Sequence, residues 1–167
     1  AIMASSIFYA ASCLLVAISA APLGRHQYVH TLSTSLADHY VAMHNELRAL
    51  HCDTPPMTFD AGLASAAQTF VDTCPTSHSP WDTRDGAGEN MAWASVGTAD
   101  GMYSYALQAW YDEVDHYDFA TGTSSGVTGH FTQMVWKDSV RVGCGVKMGC
   151  SNFLGGMQHA TLVCRYA

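Results

Sequence analysis

The sequence predicts an α+β domain in which helices pack on an antiparallel sheet. Three observations carry this. Helical periodicity dominates up to about residue 117, and strand-like alternation dominates after residue 141. No repeat or linker divides the 167 residues, a length suited to one core. Hydrophobic residues make up 49% of the chain and charged residues 13%, the balance of a packed globule rather than a disordered chain. The formal net charge of −7 repels phosphate, so a nucleic-acid partner is not expected.

The first twenty residues carry no charged side chain. Ile7 to Ile18 form an apolar run too short to span a bilayer, followed by small residues at Ser19, Ala20 and Ala21. Residues 1–20 therefore read as a signal peptide, and no transmembrane segment is expected. Residues 21–34 read as an N-terminal arm, and residues 35–167 as the folded domain.

Ser35 to His51 has helical period, with Leu36, Tyr40, Met43, Leu47 and Leu50 on one stripe. Pro55 and Pro56 stop it. Asp60 is placed to cap a second helix whose buried face is Leu63, Ala66, Ala67, Phe70 and Val71. Residues 75–88 are a long polar loop, and loops of that length inside a domain are functional or disordered. Glu89 to Ala94 fits an extended segment or one helical turn. A third helix is expected over about Thr98–Tyr117, with Met102, Ala106, Ala109 and Glu113 on one face. A carboxylate on that face needs a reason. A second Gly-rich loop follows, and Thr128 is placed to cap a short helix through Val135. Arg141–Met148 and Ala160–Tyr166 read as strands.

Past residue 20 the chain holds five cysteines: Cys52, Cys74, Cys144, Cys150 and Cys164. A secreted context lets disulfides persist. Five is odd, and spacing does not fix the pairing.

The candidate chemistry lies beside the two loops. His78 lies in the first and Glu89 follows it, and Glu113 and His130 flank the second. Neutral imidazoles bind divalent metals, and carboxylates ligate directly or orient the rings. Spacing alone does not bring the four together. No His-Glu-x-x-His pair or Gly-x-Ser-x-Gly elbow is present, so no catalytic residue is singled out.

Gly129-His130-Phe131-Thr132-Gln133-Met134-Val135-Trp136-Lys137, then Val142-Gly143-Cys144-Gly145-Val146, resembles the main motif of the CAP superfamily. This is the group of cysteine-rich secretory proteins, antigen 5 and pathogenesis-related protein 1. Gly88-Glu89-Asn90-Met91-Ala92, His44-Asn45-Glu46-Leu47-Arg48, Trp110-Tyr111-Asp112-Glu113 and Leu162-Val163-Cys164-Arg165-Tyr166 resemble further motifs in the family's order. The likeness is greatest to fungal pathogenesis-related-1-like members.

The resemblance implies a three-layer α-β-α sandwich with a central antiparallel sheet and a polar cavity. It maps a cavity tetrad onto His78, Glu89, Glu113 and His130, with His78 and His130 able to hold zinc or another divalent cation weakly and exchangeably. It also suggests bridges Cys74–Cys144 and Cys150–Cys164. Cys52 is then left unpaired, inert or free to link two chains as a dimer. Arg165 stands where the family commonly has asparagine, which implies a less firmly anchored last hairpin.

For function, the resemblance implies an extracellular binder or exporter of sterols or other small lipids such as fatty acids. Tyr117, Phe119 and Phe131 would form an aromatic lipid-binding loop. A secreted effector or defence protein acting on a host or microbial surface, and a metal-dependent hydrolase, remain the alternatives.

Overall fold

The computed structural model describes residues 35–167. The expected signal peptide and N-terminal arm lie outside the described residues.

The first helix, α1 (Leu36–Arg48), begins at a reciprocal cap. The Ser35 hydroxyl accepts from the Asp38 amide, and the Asp38 carboxylate accepts from the Ser35 amide. Its buried residues are Tyr40, His44 and Arg48. Of the expected stripe, Tyr40, Met43 and Leu47 face the core, whereas Leu36 and Leu50 are exposed, Leu50 at 66%. Hydrogen bonding accounts for the burial of Arg48. Arg48 donates to the carbonyls of Pro55, Met134 and Trp136, so its charge is buried with partners.

Strand β1 (Thr58–Phe59) follows, then α2 (Ala61–Val71), capped by Asp60 as expected. Ala67 and Val71 form its fully buried face. The polar loop ends in β2 (Gly88–Ala94), an extended strand rather than a helical turn. The third helix, α3 (Ala99–Tyr111), stops earlier than its periodicity suggests. Residues Asp112–His116 tighten into a 3-10 turn that carries Glu113. Met102 and Ala106 are buried, but Ala109 faces out. A small hairpin, β3 (Tyr117–Asp118) and β4 (Thr123–Ser124), occupies the second loop. The short α4 (Gly129–Met134), β5 (Arg141–Cys150) and β6 (His159–Tyr166) complete the domain.

The main sheet runs β1-β5-β6-β2. It is antiparallel except for β1, which pairs parallel with β5, so the sheet is mixed. Helices cover both faces, giving the three layers. On one side Ala67 and Val71 of α2 pack with Met91 and Val163. On the other, residues of α1, α3 and α4 pack with Ala92, Leu162 and Tyr166. Gly143 and Gly145 let α2 lie close to β5. A Cβ on Gly143 would meet the Ala64 nitrogen at 2.1 Å, and one on Gly145 the Gln68 Cα at 2.5 Å.

The disulfide pairing differs from that expected. Cys144 stands opposite Cys164 in the β5–β6 register, and the two are bonded with Cα atoms 4.0 Å apart. That cross-strand closeness selects the partner. Cys74, just past α2, bonds Cys150 at the end of β5, with Cα atoms 5.7 Å apart. Cys52 is also disulfide-bonded, so it is not the unpaired thiol expected. No helix among the described residues is long and apolar enough to cross a membrane.

Candidate functional site: two histidine–carboxylate pairs and an aromatic hairpin

The four expected cavity residues form two pairs. Glu89, near the start of β2, accepts from His78 Nδ1 at 2.8 Å, the Ser79 amide at 3.0 Å and the Ser79 hydroxyl at 2.6 Å. Its side chain is fully buried. Arg84 Nη2 lies 3.6 Å away and Arg165 Nε 3.5 Å away. Burial pushes the Glu89 carboxyl up. The hydrogen bonds from Ser79 and His78 and the Arg84 charge outweigh it and hold the group below the usual carboxylate range.

Glu113 accepts from His130 Nδ1 at 2.5 Å and from the amides of His130 and Phe131 at 3.0 Å each. It thereby satisfies two open N–H groups at the start of α4, a task Thr128 does not perform with its side chain. This is the reason a carboxylate stands at the end of an otherwise apolar helix face.

The second pair is fastened to β2. Trp110 stacks on the His130 ring with centroids 5.8 Å apart and donates through Nε1 to the Met91 carbonyl at 3.2 Å. Asn90, next to Glu89, donates to the His130 carbonyl at 3.0 Å. Behind Asn90 runs a buried neutral chain. Asn90 Nδ2 lies 3.4 Å from the Tyr166 hydroxyl, which lies 3.0 Å from His44 Nε2. His44 Nδ1 donates to the Tyr40 carbonyl at 2.8 Å, so Nε2 accepts from Tyr166. Burial lowers the His44 imidazole to about 4 and raises the Tyr166 phenol.

Each of the two rings thus gives Nδ1 to a carboxylate, and neither Nε2 has a protein partner among the described residues. That arrangement presents the Nε2 lone pair to an incoming group. No cluster of three or more His, Cys, Asp or Glu able to hold a metal occurs among the described residues. Any ion at either pair would therefore have at most two protein donors of these types, fewer than a resident zinc normally has.

The expected lipid-loop residues meet, but in different settings. Tyr117 and Phe119 lie edge to face at 5.0 Å, and both approach Phe131, at 5.7 and 6.1 Å. Phe131 is fully buried, whereas Phe119 is 46% exposed. His51 stacks on Phe119 at 5.9 Å.

Sequence reasoning missed Ser79, Arg84 and Arg165 as the holders of Glu89. Arg165, the departure from the family pattern, is the residue that ties β6 to the buried carboxylate. The only sequence signal for these contacts is that Glu89 follows a loop containing serine and arginine.

Comparison with known proteins identifies the family and the fold. Residues 41–166 match the model of the cysteine-rich secretory protein family, CAP. The chain is 40% identical over 119 residues to "Pathogenesis-related leaf protein 4" of Solanum lycopersicum, covering 68% of each. It is 37% identical over 125 residues to "Protein PRY2" of Saccharomyces cerevisiae, covering 74% of the chain but only 34% of the yeast protein. Among solved structures, "Crystal structure of NaASP2 with Zn2+" superposes with a TM-score of 0.64 at 24% identity, over 83% of this chain and 82% of that one. At that identity the likeness concerns the fold alone.

Proposed function

The chain belongs to the cysteine-rich secretory protein (CAP) family, and on that premise we propose that it is an extracellular binder of a small apolar lipid, a sterol or fatty acid. The observation that carries this reading is the aromatic hairpin. Phe119 remains half exposed while resting on Tyr117, His51 and the buried Phe131. The hairpin beneath it has only two residue pairs, Tyr117 with Ser124 and Asp118 with Thr123. A two-stranded ribbon that short is marginal by itself. It can lift from Phe131 and let a flat apolar ring take the place of Phe119. Such a site needs apolar lining and few polar contacts. Closed disulfides support an oxidising compartment.

The two imidazoles add a second, weaker capacity. His78 and His130, each oriented through Nδ1 by a carboxylate, would hold a divalent ion through Nε2. The ion would contribute a Lewis acid at the pairs, and with two protein donors it would exchange freely.

Equilibrium uptake of radiolabelled cholesterol, ergosterol or palmitate by the purified protein tests the lipid reading. Saturable binding is expected, weakened about tenfold or more by Phe119→Ala, the loss of one buried aromatic contact. Absence of saturable uptake, or uptake indifferent to that substitution, would overturn it.

A further inference from the structure

Beyond Glu89, on the α2 side of the sheet, lies a cavity of about 410 Å³, within the size range of small-molecule sites. Arg84, Arg141 and Arg165 line it together with Gly62 and Leu63 of the first turn of α2. The whole chain has seven Lys and Arg, so three guanidiniums in one hollow gather a large share of its cations at one place.

Formal charge inside the cavity is balanced. Asp60 and Asp85 stand at its edge, and Glu89 lies behind it. What differs is the state of the hydrogen-bonding groups. Glu89 already accepts three hydrogen bonds, and Asp60 accepts from the Leu63 amide and from Arg141 Nη1. The arginines keep donors in hand. Arg165 is 7% exposed, and its Nε faces the Glu89 carboxylate at 3.5 Å without forming a hydrogen bond. Its Nη2 reaches only the Ser79 hydroxyl, at 3.3 Å. Arg84 uses Nε and Nη2 on Ser79, and Arg141 uses Nη1 on Asp60, which leaves the remaining guanidinium nitrogens without protein acceptors among the described residues. The Ala167 carbonyl at the rim is taken by the amides of Val140 and Arg141. The N-terminal end of the 11-residue α2 adds partial positive charge at the same wall.

We propose that this cavity is an oxyanion site that takes a phosphate group, free or carried on a small organic molecule, between Arg84, Arg141 and Arg165. Guanidinium groups match phosphate oxygens in pairs, and a partly buried Arg165 makes such contacts stronger than surface ones. Arg84 and Arg165 also flank Glu89, so anion binding draws them from that carboxylate and is linked to the His78 pair. The site lies across the sheet from the aromatic hairpin and stands or falls independently of lipid binding.

Titration of the full chain with inorganic phosphate and with glycerol 3-phosphate, at constant ionic strength held with chloride, tests this. The readouts are the arginine Nε–H and His78 ring resonances by NMR. Saturable shifts at Arg165, Arg84 and His78 are expected. Arg165→Gln should abolish them. Because that variant disturbs a buried contact, two exposed positions carry the test as well. Arg141→Gln should weaken binding about threefold and Asp85→Asn should tighten it about threefold, the scale of a rim charge. Tighter binding of glycerol 3-phosphate than of phosphate would assign the organic form, and equal binding the free ion. Linear shifts matching those from chloride, or an affinity unmoved by both exposed substitutions, would overturn the site.

Discussion

His78–Glu89 and His130–Glu113 are the same two residue types in the same contact, a ring Nδ1 on a carboxylate oxygen. They are built in opposite ways. Glu89 is fully buried and lies among two arginines, a serine and its histidine. Glu113 is 14% exposed and mainly caps the start of a helix. Charge backs the first pair. Behind the second stands the neutral chain of Asn90, Tyr166 and His44. The comparison teaches that one histidine–carboxylate motif serves two structural tasks, with burial deciding which task dominates.

The sharpest way to break this contrast is Glu89→Ala. It leaves Arg165 buried without its carboxylate and releases His78 and Ser79. Removing one member of a buried ion pair costs about 3–5 kcal/mol. Denaturant unfolding of the variant against the wild type measures it. A cost below about 1 kcal/mol, the level of an exposed pair, would mean that the two sites are held alike after all.

The neutral side answers to acid instead. His44 takes a proton near 6.5 when unfolded but only near about 4 when folded. Its folded value is depressed, so the unfolded state binds the proton first as the pH falls. Stability is therefore full above pH 6.5 and drops between 6.5 and about 4, by about 3 kcal/mol over that window. Glu89, also depressed, adds its own loss only further into acid, below the ordinary glutamate range. Stability measured from pH 7 to pH 4 should fall steeply in the wild type and clearly less in His44→Gln, where His51, also lowered by burial, keeps a residual slope. The same slope in both proteins would remove His44 from the account.

Much of this was legible in the sequence, and the misses share a physical cause. Helix starts at Ser35 and Asp60 were visible because capping is local chemistry. The alternation in β6 was visible because side-chain period is a backbone property. The tetrad members were found only through the ordered motifs, since nothing in their spacing shows that His78 reaches Glu89. The buried face of α1 was legible in part: Tyr40, Met43 and Leu47 face the core, but polar His44 and Arg48 are satisfied by distant carbonyls and hydroxyls that periodicity does not register. The disulfide pairing was taken from the resemblance and failed. Cys144 finds Cys164 through strand register, which sequence spacing does not contain.

The smallest expected effect sharpens the comparison most finely. Glu113→Gln keeps the shape of the side chain and an acceptor oxygen for the α4 amides, but removes the charge that faces His130 Nδ1. A hydrogen bond to a charged group is worth about 1.5–3 kcal/mol and a neutral one about 1, so the difference should be about 1 kcal/mol. Thermal unfolding reads that loss, and the His130 ring resonances report whether the ring keeps its orientation. Trp110 and Asn90 should hold it in place. A loss matching that of Glu89→Ala would make Glu113 a second ionic anchor, and the neutral chain behind His130 would then be incidental to how that side is held.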